Sequence, residues 1–309
     1  MKTTESNLTS IDLFAGCGGM SLGFQKAGYK VVAAFEYWKP AVDVYRDNFD
    51  HPIFEVDLEE IGTAKKIKEF APQVIIGGPP CQDFSSARAN EKTGDRANLT
   101  KSFASIICKL LPRAFVFENV PRARFSSVYE STLKSYRRAG YGLTEIVLDA
   151  AYCGVPQSRK RLFLIGLLGA ADGELTSQLK RGQSESPLSM REYFGDELNI
   201  DHYFRVPTNY TKRGVFSVDE PCTTIRGIDR PIPSGYRPHK DDSAHIIKDS
   251  VRGLTVQERA RVQTFPKSFK WKGSKTNLNV MIGNAVPVNL AYYVASTLKK
   301  HLKNNVHEN

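Results

Sequence analysis

One cysteine of this 309-residue chain stands where active-site chemistry is expected. Cys81 follows the segment Gly77-Gly-Pro-Pro80, which comes directly after a short apolar run. A free cysteine is usually a small buried hydrophobe. That role suits Cys108, on an apolar helical face, but glycines and prolines on a loop build no core around Cys81. Because the thiolate is a nucleophile, Cys81 is the candidate nucleophile.

Charged side chains stand at the ends of two other apolar runs. Glu118 ends one run, in a Phe-Glu-Asn-Val segment, and Arg159 and Arg161 enter another, in a Gln-Ser-Arg-Lys-Arg segment. Alternate residues of a strand point to the same face, so we expect both arginines to point the same way. Taken alone, the glutamate could be an ordinary strand-end acid and the arginines a solvated basic edge.

A glycine-rich segment, Asp12-Leu-Phe-Ala-Gly-Cys-Gly-Gly19, lies between the first predicted strand and the first predicted helix. Glycines let a backbone approach a ligand closely, and a helix N-terminus offers free N–H groups. Glu36 ends the second predicted strand, where a carboxylate suits ribose hydroxyls. A glycine-rich turn alone is weak evidence, and the absence of a full Gly-x-Gly-x-x-Gly pattern disfavours a nicotinamide cofactor.

The elements that would position these residues alternate along the first half of the chain. Amphipathic stretches predict helices at 20–27 and 40–49, and short apolar runs predict strands at 10–14, 30–35, 53–56, 73–76, 114–118, 146–149 and 161–165. This alternation predicts an α/β fold with a doubly wound, mostly parallel sheet.

The chain changes character after Gly169. Residues 170–187 are polar and rich in Gly and Ser, and residues 190–250 show no clear period. A helix is expected at 255–263, and an amphipathic one at 288–302 could pack back on the sheet. We therefore predict a large domain formed by residues 1–169 plus 279–309, and a smaller, irregular one formed by residues 170–278.

Composition bounds the function classes. The chain carries 43 Lys and Arg against 33 Asp and Glu, a formal net charge of +10. Basic surfaces release counterions from nucleic acid, so the charge favours a polyanionic partner, although a merely soluble basic protein fits it equally well. The five cysteines have no spacing suited to zinc, and no window resembles a transmembrane helix or a signal peptide. We expect a reduced, cytoplasmic chain without a metal.

Together these segments resemble the DNA cytosine-5 methyltransferases. The resemblance covers residues 11–166 and 254–290, and the Pro-Cys-Gln, Glu-Asn-Val and Gln-x-Arg-x-Arg segments occur in the family's order. It implies a Rossmann-like S-adenosyl-methionine-dependent fold. The remaining residues, 170–251, are where the family keeps its target-recognition region. A small basic enzyme of this kind resembles prokaryotic restriction-modification methylases, and an orphan methylase is equally compatible.

The resemblance implies a role for each candidate catalytic residue. Cys81 would add to carbon 6 of a cytosine, so that carbon 5 becomes nucleophilic enough to take a methyl group. Glu118 would hydrogen-bond ring nitrogen 3 and the exocyclic amine, and Arg161 would hold the base carbonyl. Arg159 would order the site around Cys81. No residue is an evident base for the final proton removal.

The resemblance also implies a cofactor, S-adenosyl-methionine, with S-adenosyl-homocysteine as product. Phe14 would lie against the adenine, the next five residues around the methionine, and Glu36 on the ribose. Many relatives have tryptophan where this chain has Tyr37, which Trp38 follows; either ring could cover the adenine. The implied cofactor-binding residues are Phe14, Ala15, Gly16, Cys17, Gly18, Gly19, Glu36, Tyr37, Asp57, Leu58, Pro80, Leu99, Asn284 and Ala285.

The implied partner is double-stranded DNA. A base within a duplex cannot reach Cys81, so the enzyme must flip it out, and residues 82–98 resemble the family loop that closes over the DNA. We expect a monomer, associated with the nucleoid, that forms no stable complex with any cognate restriction endonuclease. The candidate DNA-binding residues are Gln82, Ser85, Arg88, Arg213, Arg226 and Arg230.

Three other functions stay open at this stage. An RNA cytosine-5 methyltransferase would share the fold and the Pro-Pro-Cys-Gln and Glu-Asn-Val segments, although the Arg- and Pro-rich region favours DNA. A non-catalytic DNA-binding regulator would share the fold, but intact Cys81, Glu118 and Arg161 argue against it. A nicotinamide-dependent dehydrogenase is a more distant alternative.

Overall fold

The computed structural model describes residues 8–59, 63–80, 94–207, 212–244 and 251–304. Strands there are β1 (Thr9–Leu13), β2 (Lys30–Glu36), β3 (Ile53–Glu55), β4 (Val74–Gly77), β5 (Ala114–Asn119), β6 (Tyr141–Asp149), β7 (Lys160–Leu168), β8 (His202–Phe204), β9 (Val215–Ser217) and β10 (Arg252–Gly253). Helices are α1 (Gly19–Lys26), α2 (Lys39–Arg46), α3 (Thr63–Glu69), α4 (Gly94–Leu110), α5 (Ser127–Arg138), α6 (Thr176–Arg181), α7 (Met190–Phe194), α8 (Val256–Val262), α9 (Lys275–Asn284) and α10 (Val288–Asn304).

Seven strands form one sheet in the order β3-β2-β1-β4-β5-β7-β6. The first five pair in parallel, and β7 runs antiparallel to β5. From β1 the chain builds β2 and β3 on one side and β4 and β5 on the other. This confirms the predicted doubly wound, mostly parallel sheet. Ligands of such sheets bind beyond the carboxyl ends of the strands, where the winding reverses.

The central strands are apolar along their length because both faces of the sheet are covered. Every residue of β4 and β5 is buried. Phe103 of α4 packs edge-on against Phe115 and Phe117 of β5, with ring centroids 6.3 and 5.8 Å apart. The core of the sheet therefore lies directly beneath the strand ends that carry Gly77 and Glu118.

Strands β6 and β7 are longer than the strands predicted from their apolar runs, at 146–149 and 161–165. β6 begins at Tyr141 rather than at 146, because Thr144 and Glu145 interrupt the apolar run but both find partners. Thr144 Oγ1 accepts from the Leu175 backbone N–H at 3.2 Å, and Glu145 accepts from the Tyr129 hydroxyl at 2.7 Å. Helices α3, α5, α6, α7 and α9 were not predicted, and α4 was anticipated only as an apolar helical face around Cys108.

By compactness the chain divides into two units. The first comprises the chain up to Leu148, Lys160–Gln183 and the chain from Ala291 on, and it holds the seven-stranded sheet up to that boundary in β6. In this unit Lys299 Nζ of α10 donates to the Ala27 and Gly28 carbonyls at the end of α1, at 3.0 and 2.7 Å. The C-terminal helix thus packs with the sheet, as its amphipathic pattern predicted.

The second unit comprises Asp149–Arg159 and Ser184–Leu290. It contains a three-stranded sheet, β10-β8-β9, whose strands have two or three residues each, and helices α7, α8 and α9. Much of the unit is irregular, in keeping with the sequence. The functional division predicted at residues 169 and 279 stays a prediction. No helix in the described ranges has the length and apolar character needed to cross a membrane.

Candidate active site

Glu118 and Arg161 form an ion pair at the carboxyl end of β5. Because β7 runs antiparallel to β5, its first residues lie beside the last residues of β5, with Glu118 opposite Phe163. Arg161 Nε lies 3.0 Å from Glu118 Oε1, and the two side chains are only 14% and 10% exposed. The topology therefore brings together two residues that sequence reasoning placed on separate strand ends.

The backbone leading toward Cys81 lies against this ion pair. Asn119 Nδ2 donates to the Pro79 carbonyl at 3.1 Å. A Cβ atom on Gly78 would lie 3.1 Å from Glu118 Oε2, so a larger residue would crowd the carboxylate. Sequence reasoning did not assign a role to Asn119, which ties the end of β5 to this loop. Cys81 itself lies outside the described residues, as do Gln82, Ser85 and Arg88.

The four cysteines that the structure describes are poor nucleophiles. Burial raises the pKa of Cys17 to about 12, that of Cys153 to about 12 and that of Cys222 to about 11. Burial also raises the pKa of Cys108 on α4. Since only the thiolate attacks, these thiols stay protonated and unreactive at neutral pH. The role of buried small hydrophobe thus suits them.

Arg159 is fully buried and bonds to backbone carbonyls of the second unit. Its guanidinium donates to the carbonyls of Ile225, Gly283 and Ala285 at 2.9, 2.8 and 3.1 Å. It therefore differs from Arg161, whose partner is a carboxylate. Within the second unit, Arg159 therefore joins the segment 149–159 to the end of α9 and to the segment before Arg226.

Two buried glutamines, which sequence reasoning missed, support Arg159. Gln157 Nε2 donates to Gln263 Oε1 at 2.8 Å, and Gln157 Oε1 accepts from the Ile225 N–H at 2.9 Å. Gln263 Nε2 donates to the Ile282 carbonyl at 2.6 Å. Both glutamines are 0% exposed. Their only sequence signal is that each stands in a segment shared with the family.

The glycine-rich turn after β1 is open and is held by Glu36. The Gly16 N–H donates to Glu36 Oε2 at 2.8 Å, and the Tyr37 and Trp38 N–H groups donate to Oε1 at 3.0 and 2.8 Å. Gly16 has a φ of +55°, and a Cβ there would meet no atom within 4 Å. The turn therefore leaves free space above its backbone, next to a carboxylate that is already oriented.

Asp12 anchors this turn from below. Its Oδ2 accepts from both the N–H and the hydroxyl of Ser21 in α1, at 3.0 and 2.6 Å, and Tyr45 donates to the Ser21 hydroxyl at 2.7 Å. Burial raises the pKa of Asp12 to about 7. Sequence reasoning assigned no separate role to this aspartate, whose bonds fix α1 relative to β1.

Other predicted cofactor residues lie at neighbouring strand ends in the first unit. The Val56 N–H donates to the Glu36 carbonyl at 3.0 Å, which brings Asp57 and the buried Leu58 beside the end of β2. Tyr37 is 72% exposed. Pro80 is exposed, Leu99 is half-buried on α4, and Phe14 and Gly18 have positive φ. Asn284 and Ala285 belong to the second unit, where Asn284 is exposed at the end of α9.

The predicted DNA-binding arginines of the second unit differ in their surroundings. Arg213 pairs with Glu220 at 2.6 Å and lies over the Phe216 ring. Arg226 donates to the Val206 carbonyl at 2.7 Å, and Arg230 is exposed. Across the part of the chain that the structure describes, no group of three His, Cys, Asp or Glu could hold a metal ion.

Comparison with known proteins points to one family. The model of the family C-5 cytosine-specific DNA methylase matches residues 8–300. Type II methyltransferase M.HindV of Haemophilus influenzae is 50% identical over 289 residues, covering 93% of this chain and 95% of the relative. M.HgiDI of Herpetosiphon aurantiacus is 48% identical over 96% of this chain and 95% of its own length. The crystal structure of the S. pombe Dnmt2 methyltransferase shares the fold, with a TM-score of 0.72 at 20% identity, covering 96% of this chain and 99% of that one.

Proposed function

This chain belongs to the C-5 cytosine-specific DNA methylase family and is a DNA cytosine-5 methyltransferase, and we propose on that premise how it acts. It transfers a methyl group from S-adenosyl-methionine to carbon 5 of a flipped-out cytosine, through a covalent bond from Cys81 to carbon 6. Its relatives are Type II methyltransferases, which supports a role as the methylase of a restriction-modification system. We place it in the cytoplasm as a monomer. A cognate endonuclease would then cut the same DNA site.

The observation that carries this proposal is the Glu118–Arg161 pair beside the backbone that leads toward Cys81. A flipped cytosine presents an exocyclic amine, ring nitrogen 3 and a carbonyl along one edge. A carboxyl group matches the first two, and a guanidinium matches the carbonyl. The ion pair of Glu118 and Arg161, 3.0 Å apart, thus holds side by side two groups that are complementary to this edge of the base. An unpaired strand-end acid would offer no such match.

The chemistry follows from these residues. The Cys81 thiolate adds to carbon 6, and the electron pair of the 5,6 double bond moves onto carbon 5 and nitrogen 3. Glu118, in its protonated form, donates its proton to nitrogen 3, which leaves carbon 5 nucleophilic, and takes the proton back when the ring is restored. S-adenosyl-methionine, when bound, supplies an electrophilic methyl group. Carbon 5 then carries a methyl group and a hydrogen. Water removes that proton, and the electron pair expels the Cys81 thiolate and restores the ring.

The residues of the glycine-rich turn fit the proposed cofactor. The space above Gly16 is open, and the Glu36 carboxylate is held by three backbone N–H groups. An ionised carboxylate offers about four acceptor positions, so Glu36 can still accept from a ribose hydroxyl. The exposed ring of Tyr37 would cover the adenine, and Asp57 would meet its edge.

Replacing Glu36 tests this assignment. We expect Glu36→Ala to weaken S-adenosyl-methionine binding by about 1.5–3 kcal/mol, the scale of a hydrogen bond to a charged group. Isothermal calorimetry measures the change. Glu55→Ala, which removes an exposed acid at the end of the adjacent strand β3, is the matched control and should leave the affinity unchanged. Equal affinities for the Glu36→Ala variant and the parent chain would contradict the assignment.

Target recognition is assigned to the domain 170–278. Residues 170–251 lack the catalytic segments and hold Arg213, Arg226 and Arg230. Phosphate contacts position a protein on DNA, and base-edge contacts specify the sequence. Catalysis and cofactor binding are assigned to residues 1–169 plus 279–309.

The substrate is tested by offering labelled S-adenosyl-methionine with duplex DNA and, separately, with tRNA. We expect label in DNA only. Bisulfite sequencing of DNA from expressing cells should then place 5-methylcytosine in one short sequence context. Label in tRNA alone would identify an RNA methyltransferase, and DNA binding without any label would identify a non-catalytic regulator.

A further inference from the structure

A cleft in the second unit concentrates positive charge. It encloses about 350 Å³ of space, open solvent at its mouth included, between the end of β8, residues 222–229 and α8. Its described lining holds three arginines, Arg205, Arg226 and Arg259, and a single carboxylate, Asp229. The charges of the lining therefore do not balance.

The single carboxylate is already shared by two cations. Asp229 Oδ1 lies 3.6 Å from Arg259 Nη1, and Oδ2 lies 3.7 Å from Lys275 Nζ. Arg259 also donates to the Arg226 carbonyl, and Arg226 donates to the Val206 carbonyl at 2.7 Å. These two arginines thus have partners that hold the walls of the cleft together.

Arg205 differs from both. It is half-buried, and no hydrogen bond or ion pair joins its guanidinium to any residue that the structure describes. Burial lowers the pKa of Arg205, and the charges of Arg226 and Arg259 lower it further. An arginine nevertheless stays charged in a protein. Burying a cation among like charges without a counter-ion is unfavourable, so an anion entering the cleft would relieve the cost.

We propose that Arg205 binds a phosphate group of the DNA backbone in this cleft. The proposal rests on the proposed function, which supplies duplex DNA as the polyanion. The guanidinium presents donors in a planar fork that matches two phosphate oxygens. A guanine edge would accept the same two hydrogen bonds but is neutral, so it would leave the excess charge uncompensated. The phosphate is therefore the better match.

The test measures DNA binding by fluorescence anisotropy at several salt concentrations. The parent chain and the Arg205→Ala variant are compared on two duplexes. One duplex contains the sequence that the enzyme methylates, and the other lacks it. We expect Arg205→Ala to weaken binding to both duplexes by a similar factor, roughly tenfold at low salt. The slope of log K against log salt should become shallower by about one, the loss of one phosphate contact.

Arg138→Ala is the matched control, since it removes the same charge from an exposed position at the end of α5. The Tyr141 hydroxyl donates to the Pro112 carbonyl at 2.7 Å, so α5 ends near the start of β5. Glu118 lies near the other end of that strand. This variant should keep the parent salt slope.

Three outcomes would overturn the inference. Weaker binding only to the duplex that contains the target sequence would mean that Arg205 contacts bases and not a phosphate. An unchanged salt slope would remove the phosphate contact. A lower melting temperature of the free Arg205→Ala protein, with an unchanged salt dependence of DNA binding, would mean that Arg205 stabilises the fold and does not bind DNA. A methylation assay on the parent chain runs alongside, so that failure of the proposed function, seen as no methyl transfer to DNA, is told apart from failure of this inference.

Discussion

Replacing Cys81 by serine will abolish methyl transfer, with a rate loss on the order of 10⁴-fold or more. A hydroxyl is far less ionised than a thiol at neutral pH and adds poorly to carbon 6. The sharpest readout is a covalent complex with DNA that carries 5-fluorocytosine at the target position. Fluorine replaces the hydrogen that must leave as a proton, so elimination stops and Cys81 stays joined to the base.

We therefore expect a complex of the parent chain that survives denaturing electrophoresis and maps to the peptide containing Cys81. Cys81→Ser should form none. Cys108→Ser is the control, because Cys108 is a half-buried thiol whose raised pKa keeps it unreactive, and it should form the complex at the parent rate. An adduct on another cysteine, or full methylation by Cys81→Ser, would overturn the assignment of the nucleophile.

The parallel part of the fold was predictable because its signals are local. Strands β1, β2, β4 and β5 are short apolar runs. A sheet that is covered on both faces needs such runs in its strands. The residues at their carboxyl ends, among them Glu36 and Glu118, then fall at one edge of the sheet by topology alone. The observed sheet order confirms this part of the prediction.

The contacts that complete the candidate site were not predictable from local sequence. Gln157 and Gln263 meet across 106 positions of the chain, and Asn119 reaches the Pro79 carbonyl across 40. Each is an ordinary polar residue until the fold supplies its partner. The antiparallel direction of β7, which brings Arg161 beside Glu118, is likewise invisible in its composition.

The arginines of the second unit also show that sequence alone does not reveal which side chains already have a partner. Arg213, singled out for its position in the recognition region, already pairs with Glu220 at 2.6 Å. Arg205, which drew no attention in the sequence, has a guanidinium with no such partner among the described residues. Counting arginines therefore gives only a candidate DNA-binding region, and the burial and partners of each arginine indicate which one is available to a ligand.

Glu118→Gln and Arg161→Gln will each slow methyl transfer by about 10²–10⁴-fold, and the double variant will be little slower than the slower single one. The two side chains share an ion pair of 3.0 Å and are almost buried, so either change disables the same unit and the losses do not add. Single-turnover rates on saturating DNA and cofactor measure the effect, and anisotropy should show that Glu118→Gln still binds DNA.

The matched control is the Glu130–Lys134 pair on the surface of α5, which has a similar separation of 2.9 Å but side chains 65% and 62% exposed. Exposed pairs contribute little, so Glu130→Gln with Lys134→Gln should leave rate and melting temperature unchanged. If losses at Glu118 and Arg161 multiplied fully, the two residues would act independently. A rate loss matched by an equal loss of folded protein would make the pair structural rather than catalytic.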